Sequence, residues 1–199
     1  TRYINWGEER SDNFERSTNR SDADANIIKA NLLPTYGQFN WTPFYNAINY
    51  CNKVLSHGPE IVQKDQSFSE AQWKPIRAEV IALRSLCHFY LVRTFGEVPY
   101  VTTDYNNDSQ ELRQAQSTQL TVLNNIITDL ESVMQDATID YGNTVQNKGR
   151  ITRQAIYALL ADVYLWRASY KAGNNLPFTK ITLAKNYNGE YQNLKANGS

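Results

Sequence analysis

Two histidines, two cysteines and a few closely spaced carboxylates are the groups in this 199-residue chain whose types could do chemistry. Neither His57 nor His88 has partners at metal-ligand spacing. Cys87 adjoins His88, but neighbours on a helix point to different faces, so no zinc site is expected. Asp22 with Asp24, or Asp104 with Asp108, could serve glycosidase-type acid/base work or hold calcium. Asp-rich loops far more often cap helices and form solvated turns. An enzyme built on either pair needs its two carboxylates roughly 5–10 Å apart in a cleft. No G-x-S-x-G elbow, G-x-x-x-x-G-K-[ST] loop or G-x-G-x-x-G turn occurs. No catalytic residue, metal or cofactor is expected, and the chain reads as a binder.

Aromatic residues in loops are the better lead. Trp6, Tyr36, Phe39 and Trp41 fall in or beside loop segments, next to Asn5, Gln38 and Asn40. Flat rings stack on sugar faces, and amide side chains pair with vicinal hydroxyls. Trp6, Tyr36, Asn40 and Trp41 are therefore the candidate glycan contacts. The plainer alternative is that Trp41 and Phe44 anchor the start of a helix. Glu79 and Arg84 stand in an otherwise apolar helix, and their surroundings favour a tie to a neighbouring helix over a binding charge pair. Cys51 and Cys87 lie on apolar helical stripes and read as buried free thiols rather than a disulfide framework.

Composition narrows the partners. The 20 basic and 20 acidic residues cancel, and no basic stripe is present, which argues against nucleic acid and anionic lipid. With 13 Tyr and 4 Trp against 7 Phe, the aromatics favour rings with a polar edge, which suit wet binding surfaces. No apolar run is long enough to span a bilayer. Ala155 to Trp166 comes nearest and is broken by Asp162. The chain opens at Thr1 rather than Met and reads as a processed or truncated piece of something longer, so a missing signal peptide says nothing about compartment.

The elements that must position these residues are helices. Residues 1 to about 22 read as polar loop, followed by a short helix capped by Ser21 or Asp22 and carrying Ile27, Ile28 and Leu32. From about 41 to 56, Phe44, Ile48, Cys51 and Leu55 make one helical face, which Gly58 and Pro59 should stop. Ser69 with Gln72 is a capping-box start, with Phe68 placed to staple onto Trp73. Pro75 implies a kink or a later regular start. The stretch from about 76 to 95 is apolar around most of its circumference, with Ile76, Val80, Leu83, Cys87, Tyr90 and Leu91 as its main stripe. Gly96 caps it, and Val98 to Val101 must run extended.

Leu120, Leu123, Ile127, Leu130, Met134 and Ala137 predict a helix from about 118 to 137. Ile156, Leu159, Val163 and Trp166 predict another from about 152 to 170, with Ala155, Ala158 and Ala161 as a strip for close helix approach. A Gly/Asn/Gln-rich loop from Gly142 to Gly149 joins them. The reading is mostly all-α, with tetratricopeptide-like helix pairs and long irregular loops. Residues 1–40 form an irregular region with a short helix, 41–172 the helical core, and 173–199 a weakly helical tail that would begin a further repeat.

Three ordered motifs carry a resemblance. From Arg77 to Tyr100, the residues Glu79, Leu83, Arg84, Phe89, Leu91, Phe95, Gly96, Val98 and Pro99 match the long helix and "F-G-x-V-P" exit of the SusD/RagB family. Trp41, Tyr45, Ile48 and Asn52 resemble its preceding helix, and Gly149-Arg150 through Leu165 resembles its "G-R" helix. Arg10-Ser11-Asp12 is similar to a tripeptide near its start. Ser85 stands where the family usually has Ala.

The resemblance implies a SusD-like outer-membrane nutrient-binding lipoprotein, represented by its N-terminal portion. It would sit at the cell surface, lipid-anchored in the full-length protein through an anchor absent from this chain. It would capture oligo- or polysaccharide for import by a SusC-like TonB-dependent transporter, without catalysis. The motif residues are structural in that family, so the aromatic candidates stand on the bottom-up reading alone. A helical-repeat protein–protein adaptor without a small ligand is the alternative.

Overall fold

The computed structural model describes residues 37–105 and 114–173, together with Asn26, Ile28, Lys29 and two-residue strands at 181–182 and 195–196. The chain divides into two compact units, Thr1–Pro43 and Phe44–Ser199. In the first, Asn26 and Ile28 are helical and Lys29 is in a turn; the other residues of the expected short helix lie outside the described residues. The second is mostly helical.

Helix α1 (Thr42–Lys64) buries Phe44, Ile48 and Cys51, the first three residues of the apolar row. It does not stop at Gly58-Pro59 but continues through both to Lys64. Proline's φ suits a helix and removes only one backbone bond there. Gly58 is buried because the Trp73 indole from α2 (Glu70–Phe95) lies against its Cα, where any Cβ would collide with the ring. The glycine that reads as a helix stop is instead a helix–helix contact.

Beyond α1, Asp65 Oδ1 accepts from the backbone N–H and hydroxyl of Ser67 at 2.9 and 2.6 Å, closing a tight turn. Ser69 then caps α2. Gln72 reaches back so that its Oε1 accepts from the Ser69 N–H at 2.8 Å, satisfying one donor at the helix start. The helix runs through Pro75 and ends at Gly96, whose N–H donates to Val92 O at 3.1 Å. Gly96 has φ 79° and ψ −115°, a conformation open to glycine and costly for other residues.

Around α2 the buried set includes Ile81, Phe89, Leu91 and Val92, together with the polar Arg84, Ser85 and His88. Each large apolar side chain so buried contributes roughly 1.5–3 kcal/mol. Leu83, expected on the main stripe, is 42% exposed. The inward face is set by Arg84 and His88, whose polar partners lie inside, and this turns Leu83 outward.

Val98 pairs with Ser117 as an isolated antiparallel bridge, and Thr118 caps α3 (Gln119–Val133), its Oγ1 accepting from Thr121 N at 3.2 Å. α3 stops at Val133, earlier than its apolar spacing predicts, although Ala137 remains buried in the turn beyond. The glycine- and asparagine-rich segment is not all loop. Asn143 Oδ1 accepts from Gln146 N at 2.9 Å and starts the short α4 (Thr144–Gly149).

α5 (Arg153–Gly173) turns Ile156, Leu160, Val163 and Tyr164 inward. Ala155 and Ala158 are exposed, so they are not an approach strip for a helix among the described residues. The larger side chains one position on have more area to bury and decide the face. The strands β1 (Ile181–Thr182) and β2 (Lys195–Ala196) pair antiparallel.

Successive long helices run antiparallel. Phe44 meets Tyr90 and Gly58 meets Trp73 between α1 and α2. Between α3 and α5, Tyr164 donates to Glu131 at 2.7 Å and Gln135 Nε2 to Tyr157 at 3.3 Å. Glu79 takes a two-point hydrogen bond from Arg150 at 3.2 and 2.6 Å and also accepts from Ile151 N at 3.3 Å, joining α2 to the chain that enters α5.

Gly58→Ala should therefore lower stability by about 1–3 kcal/mol through overpacking, despite alanine's better helix propensity. Chemical denaturation checks this. In a double-mutant cycle with Trp73→Leu, the extra cost of the alanine should disappear.

Candidate functional site

Of the four candidate contacts, Trp6 and Tyr36 lie outside the described residues. Asn40 and Trp41 stand together on the turn that enters α1. A 3-10 turn spans Gly37–Phe39, with Asn40 N–H donating to Gly37 O at 3.3 Å. Asn40 Oδ1 accepts from Thr42 N at 2.9 Å, so this oxygen serves the helix start. Trp41 is 39% exposed.

The most organised polar cluster lies elsewhere, where the chain leaving α2 crosses α1. Residues 98–105 form a strap with a bend at Thr103. The α1 side chains that hold it are Tyr45, Asn49, Asn52 and Ser56, each one position beyond the apolar row of Phe44, Ile48, Cys51 and Leu55. Tyr45 OH donates to Pro99 O at 2.9 Å. Asn52 Nδ2 donates to Val101 O at 3.2 Å and to Thr103 O at 3.0 Å. Asn49 accepts from Tyr105 N at 2.8 Å and donates to Tyr105 O at 3.4 Å, as a neighbouring strand would. Ser56 Oγ donates to Asp104 at 3.3 Å, and His57 Nε2 lies 3.9 Å from the same carboxylate oxygen.

Beneath the strap lies a buried charge network. Arg84, 6% exposed, donates to Asn52 Oδ1 at 2.9 Å and to Asp129 Oδ2 of α3 at 2.6 Å. Tyr100 donates to the same Asp129 oxygen at 2.7 Å. Burial, then the adjacent Asp129 charge, pushes the Tyr100 hydroxyl well above its usual range, so it remains a donor. Arg84 ties α2 to α1 and α3 while Glu79 ties it to the chain entering α5, as the structural reading of both expects.

His88 is fully buried, with its ring 4.3 Å from that of Tyr100 and edge-on to Tyr45. Val101 N–H donates to His88 Nε2 at 3.2 Å, so Nδ1 carries the proton and donates to Arg84 O at 3.1 Å. Burial holds the imidazole pKa at about 4. A neutral histidine with both nitrogens occupied cannot relay protons or bind a metal.

Cys51 and Cys87 are free and buried, and burial pushes the Cys87 thiol up to about 12. Asp22, Asp24 and Asp108 lie outside the described residues, while Asp104 serves the strap. Among the described residues no cluster of three metal-ligating side chains occurs, and no helix is long and apolar enough to cross a membrane.

Comparison with known proteins places the sequence. Residues 6–165 match the SusD-like family described as starch-binding and associating with the outer membrane. The chain belongs to this family. Among curated relatives, a SusD-like protein of Formosa agariphila is 26% identical over 176 residues, covering 87% of this chain and 32% of the relative. A SusD-like protein of Bacteroides ovatus is 27% identical over 150 residues, covering 74% of this chain and 26% of its own length. The chain thus spans about a third or less of the curated relatives it matches.

Among solved structures, a SusD superfamily protein from Bacteroides thetaiotaomicron has a TM-score of 0.72 at 23% identity, over 87% of this chain and 42% of that one. A laminarin-binding SusD-like protein has a TM-score of 0.65 at 26% identity, over 78% and 32% of the two chains.

The His88 geometry sets a pH dependence. Its folded pKa lies below the ordinary 6.5, so the unfolded chain takes up the proton first as pH falls. Stability from this group should be intact above about pH 6.5 and fall by roughly 3 kcal/mol towards pH 4. Denaturant titrations at pH 7 and 4.5 check this, and His88→Gln should flatten the difference while lowering stability at pH 7.

Proposed function

We propose that this chain is the N-terminal portion of a glycan-binding subunit of an outer-membrane nutrient uptake system. On this reading the whole protein captures oligo- or polysaccharide at the cell surface, held there by a lipid anchor. It hands the glycan to a SusC-like TonB-dependent transporter and performs no catalysis. The observation that carries the reading is the match of residues 6–165 to the SusD-like family, whose description names starch binding and outer-membrane association. A laminarin-binding protein among the structural relatives supports a glycan ligand. The balanced charge of 20 basic and 20 acidic residues suits a neutral glycan. Residues 41–172 would be the tetratricopeptide-like core.

Trp6, Tyr36, Asn40 and Trp41 are the proposed glycan contacts. The exposure of Trp41 beside Asn40 supports a stacking ring with a neighbouring amide. A second reading, a protein–protein adaptor without a small ligand, draws on the outer side of α1. There Tyr50, Val54 and Ile61 are 68%, 43% and 50% exposed at helical spacing.

Affinity electrophoresis of the chain through gels containing soluble polysaccharides separates the two. The glycan reading expects retardation by at least one glycan, weakened about tenfold in Trp41→Ala with the circular dichroism unchanged. Retardation by none of them, with a SusC-like transporter still captured by the chain, would favour the adaptor.

A further inference from the structure

One surface cluster is used neither by the strap nor by the turn at Trp41. Where α2 meets α5, the Arg93 guanidinium lies 4.9 Å from the centre of the Trp166 ring, 5.1 Å from Phe89 and 5.9 Å from Tyr90. Its NH1 donates to Asp162 Oδ2 at 3.4 Å, a long contact. Both charged side chains meet solvent, Arg93 at 36% and Asp162 at 51%. An exposed arginine normally samples many rotamers, and loses that freedom only where something offsets the entropy. Here three aromatic rings hold the guanidinium through cation–π attraction.

The held group has unspent capacity. Arginine has five N–H donors, and the contact with Asp162 is the only hydrogen bond the Arg93 guanidinium makes to the described residues. Asp162 accepts only that one bond among them, leaving lone pairs on both oxygens. A ring-held donor therefore stands beside a solvent-accessible acceptor, at the edge of an aromatic floor that includes the half-buried Trp166.

We propose that Arg93, Asp162 and Trp166 form a subsite for one neutral pyranose residue of a glycan. Adjacent hydroxyls on a sugar ring both donate and accept, so one can give to the carboxylate while its neighbour takes from the guanidinium. The C–H edge of the ring rests against the indole. Asp162 also sets selectivity, because a carboxylate beside the arginine repels uronate and sulfate groups that the arginine alone would attract. This subsite rests on the glycan reading and adds to it a second point of attachment. One sugar held this way binds weakly, but a polymer engaging several points gains by effective concentration. Polysaccharides rather than monosaccharides are therefore the appropriate probes.

The test uses the full chain with laminarin and soluble starch as neutral glucans, and alginate as a polyuronate. Arg93→Lys keeps the charge and loses the planar fork, and Asp162→Ala removes the acceptor at an exposed position. Each should weaken the neutral-glucan binding of the wild type by about tenfold, with melting temperature within a few degrees of wild type. Asp162→Ala should also gain affinity for alginate. If the cluster only ties α2 to α5, melting temperature falls while binding is unchanged. That result overturns the subsite and leaves the glycan reading intact. A wild-type chain that binds alginate alone overturns the subsite and leaves the glycan reading standing; one that binds none of the three overturns both.

Discussion

A guanidinium buried among helices must be neutralised where it lies, and Arg84 imposes that condition on everything around it. An unpaired charge at 6% exposure would be strongly destabilising, so α1 must bring Asn52 and α3 must bring Asp129 to the same point. The hydrogen bonds therefore specify how three helices stand relative to one another. Apolar contacts such as Phe44 on Tyr90 supply area, but they tolerate sliding far more readily than a charge-assisted hydrogen bond of 2.6 Å. The buried network makes the packing unique, and the apolar core makes it favourable.

The strap follows from the same point. Tyr100 completes the hydrogen bonding of Asp129, and His88, one turn beyond Arg84, accepts from Val101. Apart from the single bridge of Val98 to Ser117, the strap has no strand beside it among the described residues, yet its buried polar groups still need partners. Side chains of α1 meet that need at Pro99, Val101, Thr103 and Tyr105. The pairing is not in sequence order: Tyr45 reaches Pro99, Asn49 reaches Tyr105 and Asn52 reaches Val101 and Thr103, so the strap bends back over α1 at Thr103. A single helix thus presents an apolar edge to α2 and a polar edge, one residue round, to the strap.

Much of this was legible in the residues. The starts of α2 and α3, the glycine exit at Gly96, the extended Val98–Val101 and the roles of Glu79 and Arg84 all followed from local chemistry or from apolar period. The misreadings share a cause. Gly58-Pro59 looks like a stop because local propensity says so, but a close approach by Trp73 needs a glycine inside a helix. Leu83, Ala155 and Ala158 fit the helical period, yet period alone does not say which part of an apolar circumference faces a neighbour. For the candidate site, Asn40 and Trp41 fall on an exposed turn as loop composition implies. The polar row of α1 went unread although its spacing copies the apolar row, because a polar face normally signals solvent.

By itself, then, the sequence determined the helical class, the starts of α2 and α3, the glycine exit of α2, and membership of a family through ordered motifs. These are properties of short stretches, where hydrogen bonding and side-chain period act within a few residues. Tertiary structure alone decided the partners of Arg84, the tautomer of His88, the register of the strap and the stacking of Arg93 on Trp166. Each depends on groups tens of residues apart, whose meeting is a property of the whole packing and of no single segment.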